Sequence, residues 1–235
     1  TPWTLPSNVA LCVNPNETYA KVKAADGYTY YMAEALLDTV LGTLEREEGT
    51  PAYKVLETYI GKDLEYKEYI PLFDFAVPIS EKQHKKAFYV TCDTYVTLKD
   101  GTGVVHTAPA FGEDDAVVGR NYDLPFVQLV DGKGQMTADT DWPGIFCKKA
   151  DPLILKALTE KNLLFSAPKF EHSYPHCWRC DTPLIYYARE SWFIKMTAVK
   201  DDLIRNNNTI NWIPESIGKG RFGDWLENIQ DWGIS

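Results

Sequence analysis

Long apolar runs are missing from this 235-residue chain: none approaches the ~18 residues a membrane span needs, so a transmembrane reading is excluded. It opens Thr1-Pro2-Trp3-Thr4-Leu5-Pro6, with no basic region before an apolar stretch. No secretory signal is therefore expected, and so abrupt a start suggests a piece of a longer chain. Cysteine is scarce and odd in number, five in all, which fits reduced thiols better than a disulfide scaffold and favours the cytoplasm. Basic charge is in deficit. Lys and Arg total 24 against 33 Asp and Glu, a net −9, so any nucleic-acid contact must be local or aided by other parts. Standard catalytic motifs are absent too: no Gly-x-Ser-x-Gly, no His-Glu-x-x-His and no Gly-x-x-x-x-Gly-Lys-Ser/Thr occurs. Gly218, Gly220 and Gly223 match Gly-x-Gly-x-x-Gly, but no βαβ pattern surrounds them and no acidic ribose partner follows. The sequons at Asn16 and Asn207 matter only in a secreted chain and are discounted.

What is present is 45% hydrophobic and 24% charged, enough to bury one large core or two modest ones. Short β-prone runs at 9–13, 19–22 and 28–32, separated by Asn-Pro-Asn and Asp-Gly turn signals, predict a meander. Leu36, Leu37, Val40, Leu41 and Leu44 predict a helix over 33–46. Further strands are expected at 53–60, 87–98 and 104–106, the last two around a glycine turn, and a hairpin joins 126–130 to 135–137. Helices are expected at 113–122 and at 151–161, the second with Asp151 as N-cap and Pro152 as its first residue. From Lys169 the texture changes, as His172, Tyr174, His176, Cys177, Trp178 and Cys180 crowd together. A boundary is read there, followed by strand-like 184–188 and 192–195 and helices at 196–205 and 221–229. The expected class is α+β: a β-rich, barrel-like domain over 1–168 with interspersed helices, and a flanking C-terminal segment over 169–235.

Three groups of residues bear chemistry. The first is 101–115, where a strand delivers His106 and Thr107 to its end, Pro109 and Gly112 shape a loop, and Asp114 and Asp115 enter a helix. Acidic residues in a first helical turn are favoured by the dipole whether or not they have a function. The alternative is a pocket in which a carboxylate holds an ammonium and an imidazole forms a wall. Thr1, Thr4 and Asn8, beside Trp3, either satisfy loop backbone or orient a water and a ribose. Cys177 and Cys180 have the bite of half a zinc site. They are either an incomplete knuckle whose partners lie elsewhere or plain thiols, and an intact zinc site is not expected. Lys82, His84, Lys85, Lys86, Lys148 and Lys149 are read as solvated charge before phosphate contacts.

Taken together, Thr-Pro-Trp-Thr-Leu-Pro-Ser-Asn at 1–8, Gly-Thr-Gly-Val-Val-His-Thr-Ala-Pro at 101–109 with Asp115, and His-Cys-Trp-Arg-Cys at 176–180 resemble the isoleucyl-tRNA synthetases. The resemblance spans essentially the whole chain and points to the inserted editing domain of that class I family. The final residues resemble the return toward its catalytic core. Valyl and leucyl relatives share part of this pattern but typically carry Lys or Met where His106 stands. Residues 69–74 and 131–144 look closer to eukaryotic cytosolic members.

The resemblance implies hydrolysis of valine wrongly esterified to isoleucine tRNA, with misformed valyl-adenylate as a second substrate. One missing methylene is worth only ~1–3 kcal/mol to a synthetic pocket, a general limit for which the isoleucyl-tRNA synthetases are themselves the standard example. A second pocket can instead admit valine and exclude isoleucine by overpacking. Asp115 is implied to bind the α-ammonium, His106 to limit the side-chain pocket alongside Thr107 and Trp3, and Thr1, Thr4 and Asn8 to position the ester, adenosine or water. An activated ester needs no protein nucleophile, so no general base is nominated. In the family further threonines directly precede the position of Thr1. Neither nucleotide-binding signature of a class I core is present, so no ATP site or other cofactor is expected. The implied partners are the mischarged tRNA(Ile) 3′ end and the rest of a synthetase chain, with no membrane. The alternatives are a valyl- or leucyl-type editing domain and a catalytically silent tRNA-docking or zinc-linked module.

Overall fold

Residues 1–169 and 173–234 are described by the computed structural model, which divides into two compact units, Thr1–Tyr187 and Ala188–Ser235. In the first unit a 3-10 helix, Pro2–Ser7, leads into strands β1 (Ala10–Val13), β2 (Thr18–Ala24) and β3 (Thr29–Ala33). There follow α1 (Leu37–Leu41), β4 (Tyr53–Ile60), α2 (Val77–Lys82), β5 (Tyr89–Cys92), β6 (Val104–Thr107), α3 (Glu113–Asn121) and α4 (Cys147–Glu160).

The strands form two three-stranded sheets, ordered β5-β1-β6 and β3-β2-β4. In the first, β1 lies in the middle, parallel to β5 and antiparallel to β6. Ala10, Cys12 and Val13 are buried there, as suits a strand paired on both edges. In the second, Ala20, Val22 and Ala24 of β2 share a face and pack with Met32, Leu37 and Leu41, so α1 covers that side. The α+β class expected from the sequence is what the chain adopts; among the described residues the sheets do not close into a barrel. Under the N-terminal 3-10 helix, a core of Trp3, Phe73, Phe111, Met136, Trp142 and Ile154 joins the loops to α4.

Several elements differ from expectation for identifiable reasons. The helix expected over 33–46 stops at Leu41, because beyond Leu44 come Glu45, Arg46, Glu47 and Glu48, which offer no apolar face to bury. Segments 87–98 and 104–106 do not pair with one another, since β1 inserts between β5 and β6. The hairpin expected at 126–137 reduces to one bridge, Val130 to Met136. Helix α4 begins at Cys147, ahead of Asp151-Pro152, because Cys147, Ala150, Ile154 and Leu158 form one buried stripe. Asp151 consequently caps a different element: its Oδ1 accepts the Trp3 backbone N–H at 2.8 Å.

The boundary read at 168/169 falls inside the first unit. Ile185 and Tyr187 pack against its core, which carries that unit to Tyr187. No strand forms at 184–188. The second unit contains β7 (Phe193–Ile194), α5 (Lys200–Asn207), α6 (Ser216–Lys219), α7 (Arg221–Glu227) and β8 (Trp232–Gly233), with β7 and β8 paired antiparallel. Among the described residues no helix is long and apolar enough to cross a membrane.

Candidate functional site

Strand β6 carries His106 opposite Leu11 of β1, and the chain then turns through 108–112 into α3. Alternation along β6 sends His106 and Thr107 to opposite faces. Asp115, in the first turn of α3, folds back over that loop: its Oδ2 accepts the Ala108 N–H at 2.9 Å and its Oδ1 accepts the Tyr95 hydroxyl at 3.4 Å. Gly112 makes this fold-back sterically feasible. A Cβ there would lie 2.9 Å from the Asp115 Cγ. Burial pushes the Asp115 carboxyl above the usual carboxylate range, although the Ala108 N–H opposes the shift.

From the other end of the chain, Pro2 and Pro6 favour the tight 3-10 turn that presents Thr1, Trp3 and Thr4. The Trp3 ring meets Phe111 edge-on at 5.0 Å. The Thr4 hydroxyl donates to the Thr1 carbonyl at 2.8 Å, and its oxygen lies 2.9 Å from His106 Nε2. Burial pulls the His106 imidazole down to about 4, so it is neutral at physiological pH, and its Nδ1 has no hydrogen-bond partner among the described residues.

These groups line one cavity of about 330 Å³. Of the residues expected from the sequence, it brings together Thr1, Trp3, Thr4, His106 and Asp115. Its remaining walls are Val105, Phe111, Tyr174 and Tyr186. Phe111 lies in the 101–115 stretch that the sequence marks out. Tyr174 and Tyr186 had no local signal as wall residues beyond the crowding of aromatic side chains after Lys169. A larger groove of about 470 Å³, bordered by Asp26, Tyr28, Tyr30 and Phe165, has its one carboxylate hydrogen-bonded to Tyr30. In the smaller cavity, by contrast, carboxylate, imidazole and hydroxyl converge.

Other expected residues lie elsewhere. Asn8 is buried, its Nδ2 donating to the Ala10 carbonyl at 2.8 Å and its Oδ1 accepting from the Tyr69 hydroxyl at 2.5 Å. It braces the start of β1 and does not line the cavity. Thr107 is fully buried on the far face of β6, also outside the cavity. Cys177 and Cys180 sit on a turn closed by Cys177 N–H to the Thr182 carbonyl at 2.9 Å, and the Cys180 thiol contacts Thr182 Oγ1 at 3.0 Å. Among the described residues no three His, Cys, Asp or Glu side chains are grouped to hold a metal; His172 lies outside the described residues. Lys85 pairs with Asp123 and Lys86 with Glu68, whereas Lys148 Nζ stands 3.5 Å from the centre of the Tyr174 ring, beside the cavity.

This α+β fold has a counterpart among solved structures. The structure described as the crystal structure of GlLeuRS-CP1 shares the fold at a TM-score of 0.51 and 12% identity, covering 72% of this chain and 82% of that one. The family profile described as tRNA synthetases class I (I, L, M and V) matches residues 11–235, and the chain belongs to that family. It is 52% identical to Isoleucine--tRNA ligase of Clostridium novyi, 50% to that of Clostridium acetobutylicum and 45% to that of Thermus thermophilus. Each match covers 100% of this chain and 21% of the relative, so the chain spans about a fifth of the length of the curated relatives it matches. These relatives are bacterial, and the eukaryotic cytosolic leaning read from 69–74 and 131–144 finds no support in them.

Proposed function

We propose that this chain is the editing module of an isoleucine-type synthetase, acting in the cytoplasm on tRNA(Ile) mischarged with valine and on misformed valyl-adenylate. The observation that carries the reading is the convergence of Asp115, His106, Thr1 and Thr4 on one small cavity. An ionised carboxylate can accept at about four positions, and Asp115 uses two on Ala108 and Tyr95, which leaves room for the α-ammonium of an aminoacyl ester. A cation there also offsets the burial that disfavours its charged form.

The side chain of the amino acid would lie among Trp3, Phe111 and the His106 ring. Overpacking costs of order 1–3 kcal/mol, so a wall fixed by packing can admit valine and exclude a branched chain one methylene longer. Hydrolysis adds water to the ester carbonyl carbon and breaks its bond to the ribose oxygen, which takes up a proton; free valine and an uncharged 3′ end result. Because the ester is already activated, orienting water with Thr1 and Thr4 can supply the rate enhancement by proximity, and neither a metal nor a protein nucleophile is invoked. Lys148, which stands over the Tyr174 ring, would meet a phosphate of the tRNA end, and the rest of the synthetase chain would supply the remaining tRNA contacts.

The test is deacylation of valyl-tRNA(Ile) by the full-length synthetase. Asp115→Ala should abolish it while amino-acid activation continues, and equal deacylation by variant and parent would refute the assignment. Threonyl and norvalyl esters distinguish a valyl- or leucyl-type specificity. A parent inert on all three would leave a tRNA-docking module.

A further inference from the structure

The Thr4 hydroxyl has one hydrogen and two polar neighbours, the Thr1 carbonyl at 2.8 Å and His106 Nε2 at 2.9 Å. A carbonyl can only accept. Both contacts are therefore hydrogen bonds only if Thr4 gives its hydrogen to Thr1 and the imidazole carries its own on Nε2. The opposite tautomer would leave a buried Nδ1–H without an acceptor among the described residues, and orphaned buried donors are rarer and costlier than orphaned lone pairs. We infer that His106 is held as the Nε2–H tautomer, donating to Thr4, so that the Thr4 oxygen is locked as an acceptor in the cavity and orients an O–H of the hydrolytic water. This rests on the editing reading and deepens it.

His106 is then a positioning residue that acts through Thr4 as well as a wall. It cannot serve as a base through Nε2, which already carries a proton, and the depressed basicity of the buried ring agrees with that. Thr4 in turn cannot donate to the substrate, because the Thr1 carbonyl holds its hydrogen. The order runs one way, from imidazole to hydroxyl to backbone carbonyl, with the remaining lone pair of Thr4 left for a donor.

Two experiments separate this inference from the reading beneath it. In the chain labelled with ¹⁵N at its four histidines, the His106 signals should show a protonated Nε2 and an unprotonated Nδ1, unchanged between about pH 5.5 and 8. A protonated Nδ1, or an imidazolium at neutral pH, overturns the proton order whatever the activity. In the full-length synthetase, Thr4→Val and His106→Leu should each lower kcat for valyl-tRNA hydrolysis about tenfold or more with KM little changed, as for loss of one positioning hydrogen bond. Combining them should cost no more than either alone. Thr4→Ser, and His106→Gln with its amide N–H directed at Thr4, should recover most of the rate. Additive losses, or equal activity of His106→Gln and His106→Leu, overturn the role of the pair. A parent that leaves valyl-tRNA intact overturns the editing reading and the water-orienting role with it, while the NMR result still decides the proton order.

Discussion

Asp115 and His106 are both held against their ionised forms, and each therefore leaves a signature in stability as well as in activity. For Asp115 the folded-state pKa is raised, so its contribution to stability is present at acid pH and is lost as pH rises through that value. Asp115→Asn should accordingly melt higher than the parent at pH 7, with the advantage shrinking on acidification; a constant difference across pH would contradict the burial argument. For His106 the shift is downward, so stability is full above its unfolded value of 6.5 and falls as pH drops toward about 4. That interval corresponds to roughly 3 kcal/mol. Denaturant titrations at pH 7 and pH 4 should show this loss in the parent and much less of it in His106→Gln. Gly112→Ala should lower deacylation by about tenfold and cost about 1–3 kcal/mol of stability, because the new methyl displaces the Asp115 carboxylate that accepts the buried Ala108 N–H. At this scale the sequence was informative where one motif holds the whole local geometry, as with His106, Gly112 and Asp115. It misled where alternation mattered: Thr107 follows His106 in the motif but faces the other way.

Among the elements, the N-terminal 3-10 helix depends on a carboxylate far along the chain. Asp151 caps it through the Trp3 N–H, and so fixes where Thr1 and Thr4 stand without touching the cavity itself. Asp151→Ala should destabilise the fold by about 1 kcal/mol, as loss of a cap does, and should lower kcat for valyl-tRNA with no change in the Ile-to-Val discrimination ratio. Discrimination against isoleucyl-tRNA should instead fall in His106→Ala, where the wall itself is cut back, even as the absolute rate falls. Tyr19 is a second such tie: its hydroxyl accepts from Asn14 N–H at 2.9 Å and donates to the Gly103 carbonyl at 2.7 Å. Asp151 also illustrates the limit of local reading. Asp-Pro is a sound helix start by itself, but the stripe Cys147, Ala150, Ile154, Leu158 outweighed it, and only the tertiary fold shows which backbone N–H the freed carboxylate serves. Strands β1 to β4 were legible because turn signals bracket them. The insertion of β1 between β5 and β6 was not, since pairing partners leave no trace in periodicity.

On the scale of the molecule, every wall of the cavity belongs to the unit Thr1–Tyr187. Residues 1–187 should therefore fold without 188–235 and keep whatever deacylation the 235-residue chain shows; a truncated form that is unfolded or inert would contradict this division. Charge sets a second expectation. With a net −9, the isolated chain should hold tRNA far more weakly than the full-length synthetase, as a side-by-side filter-binding titration at one salt concentration can test. The groups that line or brace the cavity are widely separated in sequence: Thr4 and His106, both in its wall, by 102 residues, and Trp3 and its cap Asp151 by 148. A nascent chain emerging from the ribosome thus exposes Thr4 long before Tyr186. At ordinary elongation speeds the interval is roughly 10 to 40 s. Throughout it the pocket gains its residues piecemeal, first Val105 and His106, then Phe111 and Asp115, then Tyr174, and its enclosure is complete only once Tyr186 has been translated.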